Sequence, residues 1–204
     1  MSNFEYIIAS LPYLTPGYRY AEGKGFQDVL GEIRRDLSAR DNATLDFLLK
    51  GFDADSLDAP FYEEALHGGN RFLREYFRFD LNLRNAKVRY LNRQLARDAE
   101  QDVLGIDGGE FTEAAKVESV LAEADLIARE KGLDDLTWAK VDALSTFHYF
   151  DLTAVLAYVT KLHIADRWLA LDEARGRELF RKLVDEVRGT FKGVQFNEIG
   201  RVHV

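Results

Sequence analysis

Cysteine is absent from the 204 residues, which excludes disulfides and thiolate metal sites and makes a reducing cytoplasm the simplest home. Proline is scarce, at three residues, and glycine is moderate, at fifteen; so few backbone breakers favour long helices over many short strands. Long hydrophobic runs are also lacking. The most apolar segment, Leu152 to Leu162, contains Lys161 and falls well short of the ~20 residues that cross a bilayer. Met1 to Tyr6 carry no basic leader ahead of an apolar run, so no signal peptide is expected. Gly-x-Ser-x-Gly, Gly-x-Gly-x-x-Gly and the phosphate-loop pattern are missing as well, which leaves no ready nucleophile or nucleotide cradle.

What is present is the composition of a folded chain: 47% hydrophobic and 30% charged residues over a length that suits one large domain or two small ones. The formal charge of −8 argues against nucleic acid as a partner, because phosphate affinity accumulates from positive charge.

The stretch from Asn70 to Arg97 departs from that balance. Eight basic residues stand there against Glu75 and Asp80, giving +6 locally and leaving −14 to the rest of the chain. At helical spacing, Leu73, Phe77, Leu81, Val88, Leu91 and Leu95 form one apolar stripe, and Phe72, Tyr76, Phe79, Leu83, Ala86 and Tyr90 form a second. A helix with two apolar faces needs neighbours on both, so the spacing predicts a spine running through the fold. Its aromatics sit on the apolar stripes, as core residues do, and not among the arginines, where bases would stack.

A third stripe is polar. Arg78, Asn82, Asn85, Arg89, Asn92 and Arg93 share it with Arg71. Asparagine competes for backbone hydrogen bonds and is a middling helix former, so three in register imply that the amides have partners. These six residues are the candidate partner-binding surface, with Arg78 and Arg89 meeting acidic groups and the amides bridging backbone; a solvated outer face is the plainer alternative. Asp80 and Arg84 are spaced to pair along the helix.

Elsewhere the periodicity predicts a helix over Phe4 to Leu11 after Asn3, with a short strand over Phe4 to Ile8 as the competing reading. Further helices follow around Phe26 to Leu37, from Asp41 and ending before Gly51, and from Asp55 to His67. Gly105 to Gly109 interrupts the pattern and divides the chain into an N-terminal half, 1–104, with the spine at 70–97, a glycine-rich connection, 105–111, and a C-terminal half, 112–204. The second half reads as a helix from Thr112 to Lys131 closed by Gly132, another from Asp135 to Phe147, an apolar helix capped by Asp151, and a last one after Asp172 ending at Gly189. Val194 and Phe196 alternate weakly at the tail. The expected fold is an all-α multi-helix bundle with a long central helix and, at most, a small strand pairing at the termini.

Chemistry-bearing groups are few. Glu64 and His67 have ligand spacing, but a four-helix di-iron site needs a second such motif and two more glutamates. His148 with Asp151, and His163 with Asp166, are two His-x-x-Asp pairs that could orient an imidazole or hold zinc; helix capping by Asp151 and an edge position for His163 explain them more simply. Gly23-Lys24-Gly25 precedes a helix start, where a phosphate could sit, and is read as a turn. No cofactor and no metal are assigned, and the reading of the residues is non-enzymatic, with a small metal-dependent helical enzyme built on His148, Asp151, His163 and Asp166 as the alternative.

Three segments carry a resemblance: Tyr6-Ile7-Ile8-Ala9-Ser10-Leu11-Pro12, Phe79-Asp80-Leu81-Asn82-Leu83-Arg84-Asn85, and Leu156 to Leu162 followed by Arg167-Trp168. They resemble a bacterial family encoded with V-type ATPase subunits and similar to the central-stalk subunit, called C in prokaryotes and d in eukaryotes. That resemblance implies a non-catalytic, all-helical adaptor whose partners are other ATPase subunits, those of the central stalk and the membrane ring. It implies a cytoplasmic location, peripheral on the inner face of the membrane, with no nucleic acid and no small-molecule substrate. A helical scaffold for another acidic partner is the remaining alternative.

Overall fold

The computed structural model describes residues 2–15 and 18–171, together with 176, 178, 181 and 182. Every regular element among them is helical: α1 (Phe4–Ser10), α2 (Phe26–Asp36), α3 (Ala39–Lys50), α4 (Ala59–His67), α5 (Arg71–Gln94), α6 (Ala114–Leu121), α7 (Leu126–Ser145) and α8 (Leu152–Ala170), with one 3₁₀ turn at Ala54–Ser56. The protein is all-α, as its few prolines and its periodicity lead one to expect. The N-terminus takes the helical reading over the strand, with Asn3 accepting the Tyr6 amide as its cap. The readings for Asp172 to Gly189 and for Val194 and Phe196 fall almost wholly outside the described residues.

Local chemistry sets most boundaries. Ser38, Asp58, Asn70, Asp125 and Asp151 each accept an amide of the first turn that follows, and Pro60 sits in the opening turn of α4, where its missing N–H costs nothing. The second half departs from the sequence reading. α6 ends at Leu121 and α7 begins at Leu126, so Gly132 lies inside a helix and does not close one. Its lack of a side chain answers to space: a Cβ there would stand 2.7 Å from Val120 Cγ1 on α6.

Residues up to Ile164 form one compact unit, and Ala165 onward a second. In the first, α5 is the spine. α4 lies back along its first half, where Phe61 packs edge-on to Phe77 and the Tyr62 hydroxyl reaches Asp80. α7 runs antiparallel to it: Lys140 lies over the Phe79 ring, and Arg129 over Tyr90 further along. One core joins α1 to α5 with Val141 of α7 and the inner face of α8; a smaller one gathers Phe79, Leu83, Val117, Leu121 and Leu133. α5 thus buries both apolar faces: Leu73, Phe77 and Leu81, with Phe72 and Tyr76 of the second stripe, lie in the larger core, and Phe79 and Leu83 in the smaller. Further along the helix Leu91 and Leu95 leave the stripe for solvent. In the second unit Arg167 lies over the Trp168 ring.

Candidate functional site

The polar stripe of α5 finds its partners inside the chain. The segment that follows the helix turns back along it as a strap, and three asparagines hold its backbone. Asn82 Nδ2 donates to Gly108 O at 3.0 Å, and Asn85 makes a reciprocal pair with Leu104, donating to its carbonyl and accepting from its amide at 3.0 Å each. Asn92 Nδ2 donates to Ala99 O and Gln101 O. Asn85 and Asn92 are buried as a result. The amides therefore bridge backbone, as their register implies, but the backbone is the chain's own.

The arginines behave alike. Arg78 grips Glu75 with both carboxylate oxygens within 3.0 Å, Arg89 makes a two-bond fork to Glu100 on the strap, and Arg93 reaches Glu118 on α6. The Arg89 contact holds the Glu100 carboxyl below its usual range. Lys87 lies by Glu130, and Arg84 donates to Leu57 O, while Asp80 accepts from Tyr62 in place of the expected pairing along the helix. Three of the spine's eight cations, Lys87, Arg89 and Arg93, thus meet carboxylates drawn from the acidic remainder of the chain, Glu130, Glu100 and Glu118.

The His-x-x-Asp pairs are not brought together. His148 Nδ1 meets Asp151 Oδ2 at 2.5 Å, and Asp151 Oδ1 also caps α8 through the Ala154 amide. His163 lies stacked on Phe52, ring centroids 4.1 Å apart, with Phe26 edge-on. It sits three turns into α8 while His148 precedes that helix, a separation of roughly 17 Å along the axis. Asp166 belongs to the second unit. Glu64 and His67 are exposed, His67 bonding Glu63 O, and Lys24 pairs with Glu32. Among the described residues no group of three or more His, Cys, Asp or Glu side chains is arranged to hold a metal ion.

The surface that stands out is apolar. A groove of about 520 Å³ lies between the 8–14 segment, α7 and α8. Its floor includes Ala154 and Ala157; Ile8, Leu11, Leu14, Trp138 and Tyr158 line its sides; Asp142, Ser145, His148 and Lys161 supply polar atoms. The Tyr158 hydroxyl donates to Pro12 O at 2.9 Å and so fixes the N-terminal wall against α8. Burial pushes that phenol well above its ordinary range, keeping it a neutral donor. Tyr13, 87% exposed, and Tyr149 also line it, and the exposed Phe147 and Phe150 flank His148 and Tyr149 in the chain.

A second cluster lies at the other end of α7. Leu126 and Ile127 open that helix in solvent, and the Arg129–Tyr90 contact ties its start to the last turns of α5, where Leu91 and Leu95 are exposed. α7 has 20 residues, so the two clusters are about 30 Å apart. Scattered exposed apolar side chains are ordinary, but grouped ones mark contact sites.

Residues 52–108 and 105–190 match the family model described as Protein of unknown function (DUF2764). The chain belongs to this family. No curated protein and no solved structure matches it. The DUF2764 match spans α4 to α8 and so takes in the α7 and α8 walls of the groove, while the 8–14 wall lies outside it.

The residues around the groove had a legible signal in the sequence: Phe147, Tyr149 and Phe150 crowd the short link before the capping Asp151, where no helix face exists to bury them. Leu126 and Ile127, directly after the cap Asp125, were the corresponding sign at the other end.

Proposed function

We propose that this protein is a non-catalytic adaptor, a subunit of a V-type ATPase or ATP synthase that couples the central rotary stalk to the membrane ring. One observation carries the adaptor reading: a stiff helix pair, α5 with α7, displays an exposed apolar cluster at each end, about 30 Å apart. A component that links two bodies needs separated contact patches joined by an element that does not bend, and interface energy concentrates in a few apolar or aromatic anchors of this kind. The spine adds stiffness, since its polar face is locked by the strap and both apolar faces are buried over most of its length.

The identity of the complex comes from the resemblance of Tyr6 to Pro12, Phe79 to Asn85 and Leu156 to Leu162 to the family encoded with V-type ATPase subunits. No helix among the described residues is long and apolar enough to cross a membrane, so in this reading any membrane contact runs through partner subunits.

Affinity purification of the tagged chain from its native host tests the proposal. Recovery of stalk and ring subunits of the ATPase is the expected result. A different partner recovered without them would make the chain a scaffold in another assembly and overturn the reading.

A further inference from the structure

We propose that the strap, residues 98–109, is a gate: it opens as one piece while α5 stays helical and both cores stay closed, and so uncovers the asparagine stripe and the space beside it. The inference goes beyond the adaptor reading and does not depend on it.

The strap is held by polar bonds more than by burial. Asn82, Asn85, Arg89 and Asn92 of α5 reach it, through bonds that water replaces once the strap lifts. Of its own residues Gly108 alone is buried, and its apolar anchors against the larger core, Leu104 and Ile106, are only partly so. A segment with so little apolar burial opens at a lower free energy than the core beneath it.

The closed position also strains the backbone. Four described residues have a left-handed φ, and three of them bound or interrupt this segment: Ala96 at 52°, Asp102 at 62° and Gly109 at 66°. In a residue with a side chain that conformation presses Cβ towards the following carbonyl, and lifting the strap lets it relax. Between the ends the strap keeps turns of its own, with the Gln101 amide donating to Asp98 O and the Val103 amide to Glu100 O. These bonds do not involve α5, so the strap moves as a unit between hinges at Ala96 and Gly109. Two polar cavities, of about 580 Å³ and about 290 Å³, share Asn82 and Asp107 as a wall, and the Asn82–Gly108 bond closes that wall. Opening the gate joins them.

Hydrogen exchange on the full chain, followed residue by residue by NMR, tests the proposal. The Leu104 amide, which donates to Asn85 Oδ1, reports on the strap, and the amide of the buried Leu81 reports on α5. Corrected for intrinsic rates, Leu104 should exchange at least a hundredfold faster than Leu81 and should ignore urea below the unfolding transition. Neither Asn82 nor Arg89 touches Leu104, yet through a common opening Asn82→Ala should speed its exchange about fivefold and Arg89→Gln about twofold. Leu81 should move much less in both variants. Exchange of Leu104 at the rate and with the urea dependence of Leu81 would place the strap in the global unit and overturn the gate. A Leu104 rate indifferent to Arg89→Gln would reduce the opening to fraying at one bond and overturn it equally. Should Asn82→Ala fail to fold, the exposed Arg89→Gln decides alone.

Discussion

An alanine at position 108 would put its Cβ 2.4 Å from Asn82 Oδ1, closer than side chains tolerate, so the strap owes its seat on α5 to a residue without a side chain. Gly108→Ala should cost about 1–3 kcal/mol of stability in urea denaturation, the range of an overpacked site. Asn82→Ala removes both the obstacle and the bond to Gly108 O, so the double variant should be more stable than the sum of the single losses by about 1 kcal/mol. Strict additivity would mean that the two groups do not touch. Asp80 offers a second test at this scale. Burial pushes its carboxyl above the ordinary range, against the opposing pull of the Tyr62 hydroxyl at 2.6 Å and of Arg84 and Lys87. A carboxyl with a raised native pKa binds more protons folded than unfolded, so its contribution falls as pH rises from the unfolded value, about 3.9, through the native one. Asp80→Asn cannot ionise and should gain on the wild type between pH 4 and pH 7. A difference in stability that is flat or shrinks over that interval would show that Asp80 is not held in an unfavourable ionised state.

At the level of the element, Gly132 shows where sequence reading succeeds and where it stops. A glycine that follows a basic residue in a helical pattern, as Gly132 follows Lys131, reads as a terminator, because helices commonly end with a left-handed glycine. Here α7 runs straight through it, and the reason is tertiary: α6 crosses so closely that Val120 occupies the place of a Cβ. Nothing local encodes that crossing. Gly132→Ala should therefore lose in packing what it gains in helix propensity, about 1 kcal/mol, and come out neutral or destabilised. Combined with Val120→Ala it should recover that propensity gain relative to Val120→Ala alone, as read from thermal unfolding. The spine itself was legible because its period runs over many turns, and so were the caps at Asn3 and Asp151, whose role depends on residues one turn away. The destination of the polar stripe was half legible. Three asparagines in register announced that they had partners, but whether the backbone they bridge belongs to this chain or another depends on a return path that no spacing records. The Arg89–Glu100 fork is one rivet of that path. Both side chains are largely exposed, so Arg89→Glu should lower stability only slightly, as read from urea denaturation. The swap Arg89→Glu with Glu100→Arg should restore most of it. A swap that restores nothing would assign the effect to something other than this pair.

At the scale of the molecule the property that matters is that Phe147, Tyr149 and Phe150 stand exposed after one end of α7, and Leu126 and Ile127 at its other end beside Leu91 and Leu95 of α5. Phe147, Phe150, Leu126 and Ile127 are all more than half exposed, so replacing them with serine leaves the buried clusters untouched and should move the melting temperature very little, within the ±0.5 kcal/mol usual for surface changes. Binding should respond differently. If α7 is the strut of a two-ended adaptor, Phe147→Ser with Phe150→Ser should weaken one partner interaction by tenfold or more and spare the other, while Leu126→Ser with Ile127→Ser should do the reverse. Pull-down of the host complex by each double variant, with the bound subunits counted separately, checks this. Simultaneous loss of every subunit with either variant would mean that the two clusters serve a single contact. A stiff element joining one patch to itself has no coupling to perform, and the adaptor reading would then lose the observation on which it stands.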